Sequence, residues 1–220
     1  MNAGRITDEM TMQRVRMAER LRDHYHIKDE RVIEAMAKLP RHIFVPEAIK
    51  SQAYNDNALT ISGGQTISQP FIVARMTELL ELEGKEKVLE IGAGSGYQTS
   101  VLALLAKSVF AIERLQNLAD DAVKRLERLG LTNVVLKIAD GTFGWDVYMP
   151  YDAILVAAGG PEIPEPLVKQ LKIGGRLVIP VGEDKKTQML MRVTRKQNGN
   201  VTENFGPCAF VPLIGEHGWK

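Results

Sequence analysis

The sequence predicts an α/β fold: a doubly wound, mostly parallel sheet with an antiparallel C-terminal edge, preceded by N-terminal helices. Three observations carry that expectation. From residue 87 onward, short apolar runs alternate with segments of helical period, the pattern of strands joined by crossover helices. A glycine turn, GAGSG at 92–96, stands between one such run and the helix after it. Near the C-terminus, NG at 198–199 joins QMLMRVTRK to NVTENFG, as a hairpin turn would.

The elements follow in order. Thr7 or Asp8 is placed to cap a helix running to about Asp23. Asp29 caps a second, with Val32, Ile33, Met36 and Leu39 on one face and a stop near Pro40. RHIFVPEAI, 41–49, reads as a packed connector. Pro70 suits the first position of a helix carrying Phe71, Ile72, Val73, Met76, Leu79 and Leu80. KVLEI (87–91) is a first buried strand, and residues 96–106 are apolar nearly all round, as a buried helix would be. SVFAIE (108–113) is the next strand. Leu115, Leu118, Ala122, Val123, Leu126 and Leu129 then keep helical period up to a C-terminal Gly130. NVVLKIA (133–139), YDAILVAA (151–158) and GGRLVIPVG (174–182) are further strands, with a short helix in EPLVKQLK. No linker divides the chain. It reads as a single domain over 1–220, with a helical cap at 1–60 and an α/β core with a C-terminal wall at 61–220.

Composition narrows the function classes. The chain has 220 residues, 28 basic and 27 acidic, for a formal charge of +1. That balance gives no general attraction to nucleic acid or to an anionic membrane. The arginines at 14, 16, 20 and 22, interleaved with Glu19 and Asp23, read as a solvated helix face. A single cysteine, Cys208, allows no internal disulfide and is most simply a core residue. The first residues lack an apolar signal core, and no run reaches the ~18 apolar residues of a membrane span. A cytoplasmic protein with no membrane or nucleic-acid partner, acting as a monomer, is expected. Four histidines and one cysteine show no metal-ligand spacing, so no metal is assigned.

The chemistry is concentrated at the strand ends. In KVLEIGAGSGYQT, Gly92, Gly94 and Gly96, with Ala93 between the first two, let backbone turn tightly beside a ligand. A dinucleotide fingerprint wants its third glycine where this chain has Tyr97. The loop therefore matches S-adenosyl-L-methionine, which has no phosphate, better than a pyrophosphate. Glu90 interrupts the apolar strand, and a carboxylate there is costly unless paired. The cationic methionine end of that cofactor, or a structural salt bridge, would pair it. Glu113, 21 residues after Gly92, ends the next strand where a ribose diol would sit; NAD would suit that spacing equally. Asp140 and Gly141 end the third strand and suit the amine and flat face of adenine, or simply a turn.

SGGQTISQP, 62–70, brings glycines and hydroxyls to a helix entrance, where unpaired N–H groups favour an anion. Without further information, Ser68 is as readily a helix cap as a binding group. No GxSxG and no Ser–His–Asp pattern surrounds it.

Together VLEIGAGSGYQT, AIE, ADG and YDAILVAA resemble the motifs of class I S-adenosylmethionine-dependent methyltransferases, whose sheet is Rossmann-like. With GGQTISQP, RHIFVP, LKIGGRLVIPVG and FVPLIGEHGW, the chain resembles the protein-L-isoaspartate (D-aspartate) O-methyltransferase branch over roughly residues 30–219. The resemblance implies methyl transfer to the free α-carboxylate of L-isoaspartyl residues in damaged proteins. It makes Ser68 the active-site serine, places Thr66, Ile67 and Gln69 over cofactor and substrate, and makes FVPLIGEHGW a wall of the substrate site. Where some members carry a histidine three residues after the proline, this chain has Val73. A different small-molecule carboxylate as acceptor, an NAD-dependent oxidoreductase and a binding domain without activity are the competing readings.

Overall fold

The computed structural model describes residues 10–220. The two capping candidates, Thr7 and Asp8, lie outside the described residues. Helix α1 (Thr11–Asp23) ends where expected, and α2 (Glu30–Lys38) opens on Asp29, whose carboxylate accepts the Arg31 N–H. Val32, Ile33 and Met36 are buried on one face of α2, which packs on α1 and on two later helices, α3 (Pro70–Leu79) and α4 (Tyr97–Leu105). The arginine face of α1 departs from expectation at one position. Arg16 and Arg22 are exposed, but Arg14 is turned inward and buried. Arg14 shares the face of the buried Met17, Ala18 and Leu21, and the long apolar stem of arginine tolerates that. The connector at 41–52 forms two short 3₁₀ segments, with Arg41, His42 and Phe44 buried.

A small antiparallel pair, β1 (Leu59–Thr60) with β2 (Thr66–Ile67), precedes α3. The main sheet holds β3 (Lys87–Ile91), β4 (Ser108–Glu113), β5 (Val134–Ile138), β6 (Tyr151–Val156), β7 (Leu171–Val181), β8 (Gln188–Lys196) and β9 (Gly199–Cys208). Among the described residues its order is β5-β4-β3-β6-β7-β8-β9, parallel from β5 to β7 and antiparallel beyond. Helix α5 (Gln116–Arg128) links β4 to β5, and α6 (Glu165–Lys169) precedes β7. The chain builds outward from β3 to β5, then returns to place β6 on the other side of β3. That reversal opens a crevice at the carboxyl end of β3, where ligands of such sheets bind.

Apolar clusters cover both faces. Val88 and Leu89, neighbours on β3, belong to different clusters, as a strand period of two requires. The helix expected over EPLVKQLK is shorter than its pattern. It stops at Lys169, and Leu171 already pairs with Tyr151 in the sheet. The Gln170 side chain turns inward to the Trp145 N–H and the Phe143 carbonyl, which breaks the helix there. Cys208 is half-buried on the edge strand β9, packed against the larger apolar cluster, and burial pushes the thiol up to about 11.

Candidate active site

The crevice beside β3 is a cavity. Gly92 and Gly94, Ile112–Leu115, Ala139 and Gly141, Ala157 and Ala158, Gln65 and Thr66, and Val211–Ile214 line it. Gly92, Gly94 and Gly96 all have positive φ, at 86°, 53° and 85°. Their tasks differ. A side chain on Gly96 would press on Ala122 of α5, so that glycine serves helix packing. One on Gly94 would meet only its own loop, so that glycine keeps backbone open to the cavity.

The loop has spent its N–H groups except that of Ser95, which has no partner among the described residues. Those of Gly92 and Ala93 donate to the Ile112 carbonyl, that of Gly94 to Glu113, and that of Gly96 to the Ala93 carbonyl. A pyrophosphate cradle needs such groups free and convergent. This loop offers a close, smooth approach without an anion-binding fan, which fits a cofactor lacking phosphate.

Glu113 lines the cavity and is 7% exposed. Its Oε2 accepts the Gly94 N–H at 2.9 Å; Oε1 accepts those of Arg114 at 2.7 Å and Leu115 at 2.9 Å. Three bonds fix the carboxylate rigidly and leave about one of its four acceptor sites free. A hydroxyl of a ribose would find one ready acceptor there.

Gly141 lines the cavity too, and a side chain on it would collide with Ile91 at the end of β3. Its smallness is therefore demanded by packing as well as by ligand approach. Asp140 beside it does not line the cavity. Its Oδ1 accepts the Thr142 N–H and hydroxyl at 2.9 and 2.7 Å, and its Oδ2 accepts the Glu216 N–H at 2.8 Å. Burial raises this carboxyl, but those bonds outweigh it and hold the pKa below the usual range. Asp140 thus straps the C-terminal segment, the same segment whose Val211–Ile214 forms a wall of the cavity.

Glu90 is 0% exposed and lies beneath the loop. Neither carboxylate oxygen has a hydrogen-bond partner among the described residues, and none of them supplies a cation to pair with it. The structural salt bridge is not made. Burial pushes this carboxyl up to about 8, the nearby Thr99 hydroxyl opposing and Glu113 adding to the rise. Such an orphaned buried carboxyl fits a site built to receive a cationic group.

The acceptor side enters through β2. Thr66 lines the cavity; Ile67, Ser68 and Gln69 follow it in the chain and are not part of the lining. Ile67 is buried and pairs with Leu59. Gln69 is the N-cap of α3 but contributes no side-chain cap, and its amide donates to Asp56 at 3.0 Å. The Ser68 carbonyl accepts from Arg41, and its hydroxyl makes no hydrogen bond among the described residues. The helix-cap reading of Ser68 is therefore absent from the geometry, and the hydroxyl is available to a ligand. Val73, where some family members carry histidine, is 2% exposed. Among the described residues there is no cluster of metal-ligating side chains and no helix long and apolar enough to cross a membrane.

Missing from the sequence reading were the apolar wall residues Ile112, Leu115, Ala139, Ala157 and Ala158. They sit at strand ends, and their only signal was position relative to the glycine loop. Arg41 and Asp56 were missed as well, because a lone arginine or aspartate in a loop carries no pattern.

Comparison with known proteins agrees with this geometry. Residues 12–218 match the family model described as protein-L-isoaspartate (D-aspartate) O-methyltransferase. The chain is 54% identical to a protein-L-isoaspartate O-methyltransferase of Syntrophus aciditrophicus over 98% of this chain and 100% of that protein. It is 56% identical to one of Geobacter metallireducens over 88% and 89%. A solved protein-L-isoaspartate O-methyltransferase superposes with a TM-score of 0.84 at 29% identity, covering 93% of this chain and 67% of the other. A Plasmodium falciparum structure described as such an enzyme in complex with S-adenosyl-L-homocysteine superposes at 0.79 and 27% identity, covering 91% and 98%.

Proposed function

The chain belongs to the protein-L-isoaspartate (D-aspartate) O-methyltransferase family, and on that premise we propose how its residues divide the work of the reaction. It is an S-adenosyl-L-methionine-dependent enzyme that methylates the free α-carboxylate of L-isoaspartyl residues in damaged proteins. Family membership favours this acceptor over a small-molecule carboxylate. The observation that carries the division of labour is one cavity bordered by the glycine loop and Glu113 on one side and by Thr66 on the other.

When bound, S-adenosyl-L-methionine supplies an electrophilic methyl group on a sulfonium. Glu113 would hold its ribose, Gly92, Ala93, Gly94 and Gly96 its methionine portion, Gly141 and the apolar wall its adenine, and Glu90 the charge of its amino acid end. Asp140 would act on the adenine side through the strap it holds. An α-carboxyl titrates near ~3.5, so at neutral pH the acceptor is already an anion and needs no general base. Ser68 hydrogen-bonds and orients that carboxylate; Thr66, Ile67 and Gln69 hold the backbone that carries Ser68. What remains is alignment of oxygen and methyl in a water-poor cleft, and positioning of that kind supplies on the order of 7–11 kcal/mol. The ester then loses methanol to the neighbouring backbone nitrogen, and the succinimide opens partly to normal aspartate. A single-domain cytoplasmic monomer without nucleic-acid partners is the reading that the lone Cys208 and the +1 net charge support.

Labelled methyl transfer to an L-isoaspartyl peptide tests this, with the matched L-aspartyl peptide beside it. Base-labile label on the isoaspartyl peptide alone is expected. Ser68→Ala is expected to lower kcat/KM by about 10²-fold, the scale of one lost oriented donor. Label on neither peptide, with cofactor bound, would point to another acceptor. Unchanged kinetics in the variant would remove Ser68 from the role.

A further inference from the structure

Arg41 is 0% exposed, yet among the described residues no carboxylate forms an ion pair or a hydrogen bond with it. Its Nε donates to the Ala53 carbonyl at 2.7 Å and its Nη2 to the Ser68 carbonyl at 2.7 Å. The guanidinium lies over the Tyr97 ring, 4.8 Å from the centroid, and Nη1 has no hydrogen-bond partner. The Tyr97 hydroxyl beside this group is likewise buried and unpartnered. Burying a permanent cation among neutral carbonyls is costly, and one orphaned N–H edge adds to the cost. Asp56 acts on this charge electrostatically without a hydrogen bond or ion pair to it, so a directly bound anion is a candidate ligand.

The second half of the arrangement is Asp56. Its carboxylate accepts the Gln69 amide and the Tyr25 hydroxyl, and the Tyr25 ring stacks on Phe71 at 4.2 Å. Consecutive residues of the acceptor segment are thus held from two sides, Ser68 by its carbonyl and Gln69 by its side chain. This clamp fixes the backbone from which the Ser68 hydroxyl projects and sets the Arg41 guanidinium on the carbonyl of the same residue.

We propose that Arg41 is the cationic positioning residue of the acceptor site, fixing Ser68 and drawing the substrate α-carboxylate to it. Given the isoaspartyl reading, on which this rests, charge decides where its contribution falls. Carboxylate and sulfonium neutralise each other as the methyl moves. A fixed cation therefore favours the fully charged bound carboxylate over the transition state, so its field lowers KM and opposes kcat. The hydrogen bond to Ser68 is a separate matter of alignment and belongs to kcat.

Steady-state methylation of an isoaspartyl peptide by wild type, Arg41→Gln and Arg41→Lys separates the two. A peptide with an α-carboxamide at the isoaspartyl position is added as competitor, and S-adenosyl-L-homocysteine binding is the control for folding. Arg41→Gln is expected to raise KM about tenfold or more and to erase the preference for the carboxylate over the carboxamide peptide. Arg41→Lys keeps the charge without the fork, so its KM should stay within about threefold of wild type while kcat falls. Wild-type KM and carboxylate preference in Arg41→Gln would overturn the proposal. So would equal losses of kcat in both variants at constant KM, the outcome of a purely structural arginine. If Arg41→Gln does not fold, Arg41→Met takes its place as the uncharged variant: a raised KM with lost carboxylate preference supports the proposal, and wild-type values of both sink it. A wild type that labels no isoaspartyl peptide would instead overturn the acceptor assignment, and the role of Arg41 with it.

Discussion

Glu90 shows most plainly how one residue sets a measurable property. Its folded pKa, about 8, lies far above the ordinary carboxyl value because burial removes the water a carboxylate needs. The sign of the consequence is fixed by linkage. A group whose pKa is raised on folding contributes stability that is complete below its unfolded pKa and is lost as pH rises through the folded one. Without cofactor, the melting temperature should therefore fall between pH 5 and pH 8 more steeply in wild type than in Glu90→Gln. Parallel curves for the two proteins would mean the carboxyl is not held neutral. Ser68 and Gly141 make a different point at this scale. The first has a hydroxyl unbonded among the described residues because α3 begins after Gln69 with no side-chain cap, and the second must be small because Ile91 fills the space a side chain would take.

Among the elements, the C-terminal segment is the one whose placement decides the shape of the cavity. It is tied down by the Glu216 N–H on Asp140, the His217 N–H on the Thr142 hydroxyl at 3.2 Å and the Trp219 indole on the Gly159 carbonyl at 2.9 Å. A hydrogen bond to a charged group contributes about 1.5–3 kcal/mol, so loss of Asp140 should loosen the strap more than loss of any neutral partner. Asp140→Ala is expected to speed proteolysis within residues 209–220 and to weaken S-adenosyl-L-homocysteine binding about tenfold, roughly 1.4 kcal/mol. Weaker binding with unchanged proteolysis would show instead that Asp140 acts on the adenine directly. The expected adenine contact was read from position alone; a turn carboxylate at a strand end cannot announce that a segment some 75 residues later will take up one of its oxygens.

For the whole molecule, the discriminating fact is the topology around β3. Strands leave it in both directions, and the resulting crevice receives the glycine loop, Glu113 and Gly141 together. Because the N–H groups of Gly92, Ala93, Gly94 and Gly96 are consumed internally, the cavity should select by shape and by cationic charge, not by phosphate. At a concentration 100 times its Kd, S-adenosyl-L-homocysteine should stabilise the fold by about 2.7 kcal/mol, and NAD should leave the melting temperature unchanged. A thermal shift with NAD alone would reverse that reading.

Most of the fold was legible in the chain. The strand–helix alternation, the Asp29 cap, the Pro70 helix start and the antiparallel edge follow from local periodicity and from what proline, glycine and aspartate do to a backbone. The glycine loop and Glu113 were legible for the same reason, since strand ends in such a sheet converge on one edge wherever they occur. What the tertiary structure alone decided is where the charges end up and what surrounds them. Among the described residues, Arg14 turns inward, Arg41 is buried against two carbonyls with no carboxylate bonded to it, Glu90 has no hydrogen-bond partner, and Asp140 spends its oxygens on Thr142 and a distant strap. A residue's type gives the charge it carries. Its cost and its use depend on what is packed within a few ångströms, and that is settled by segments far apart in the chain.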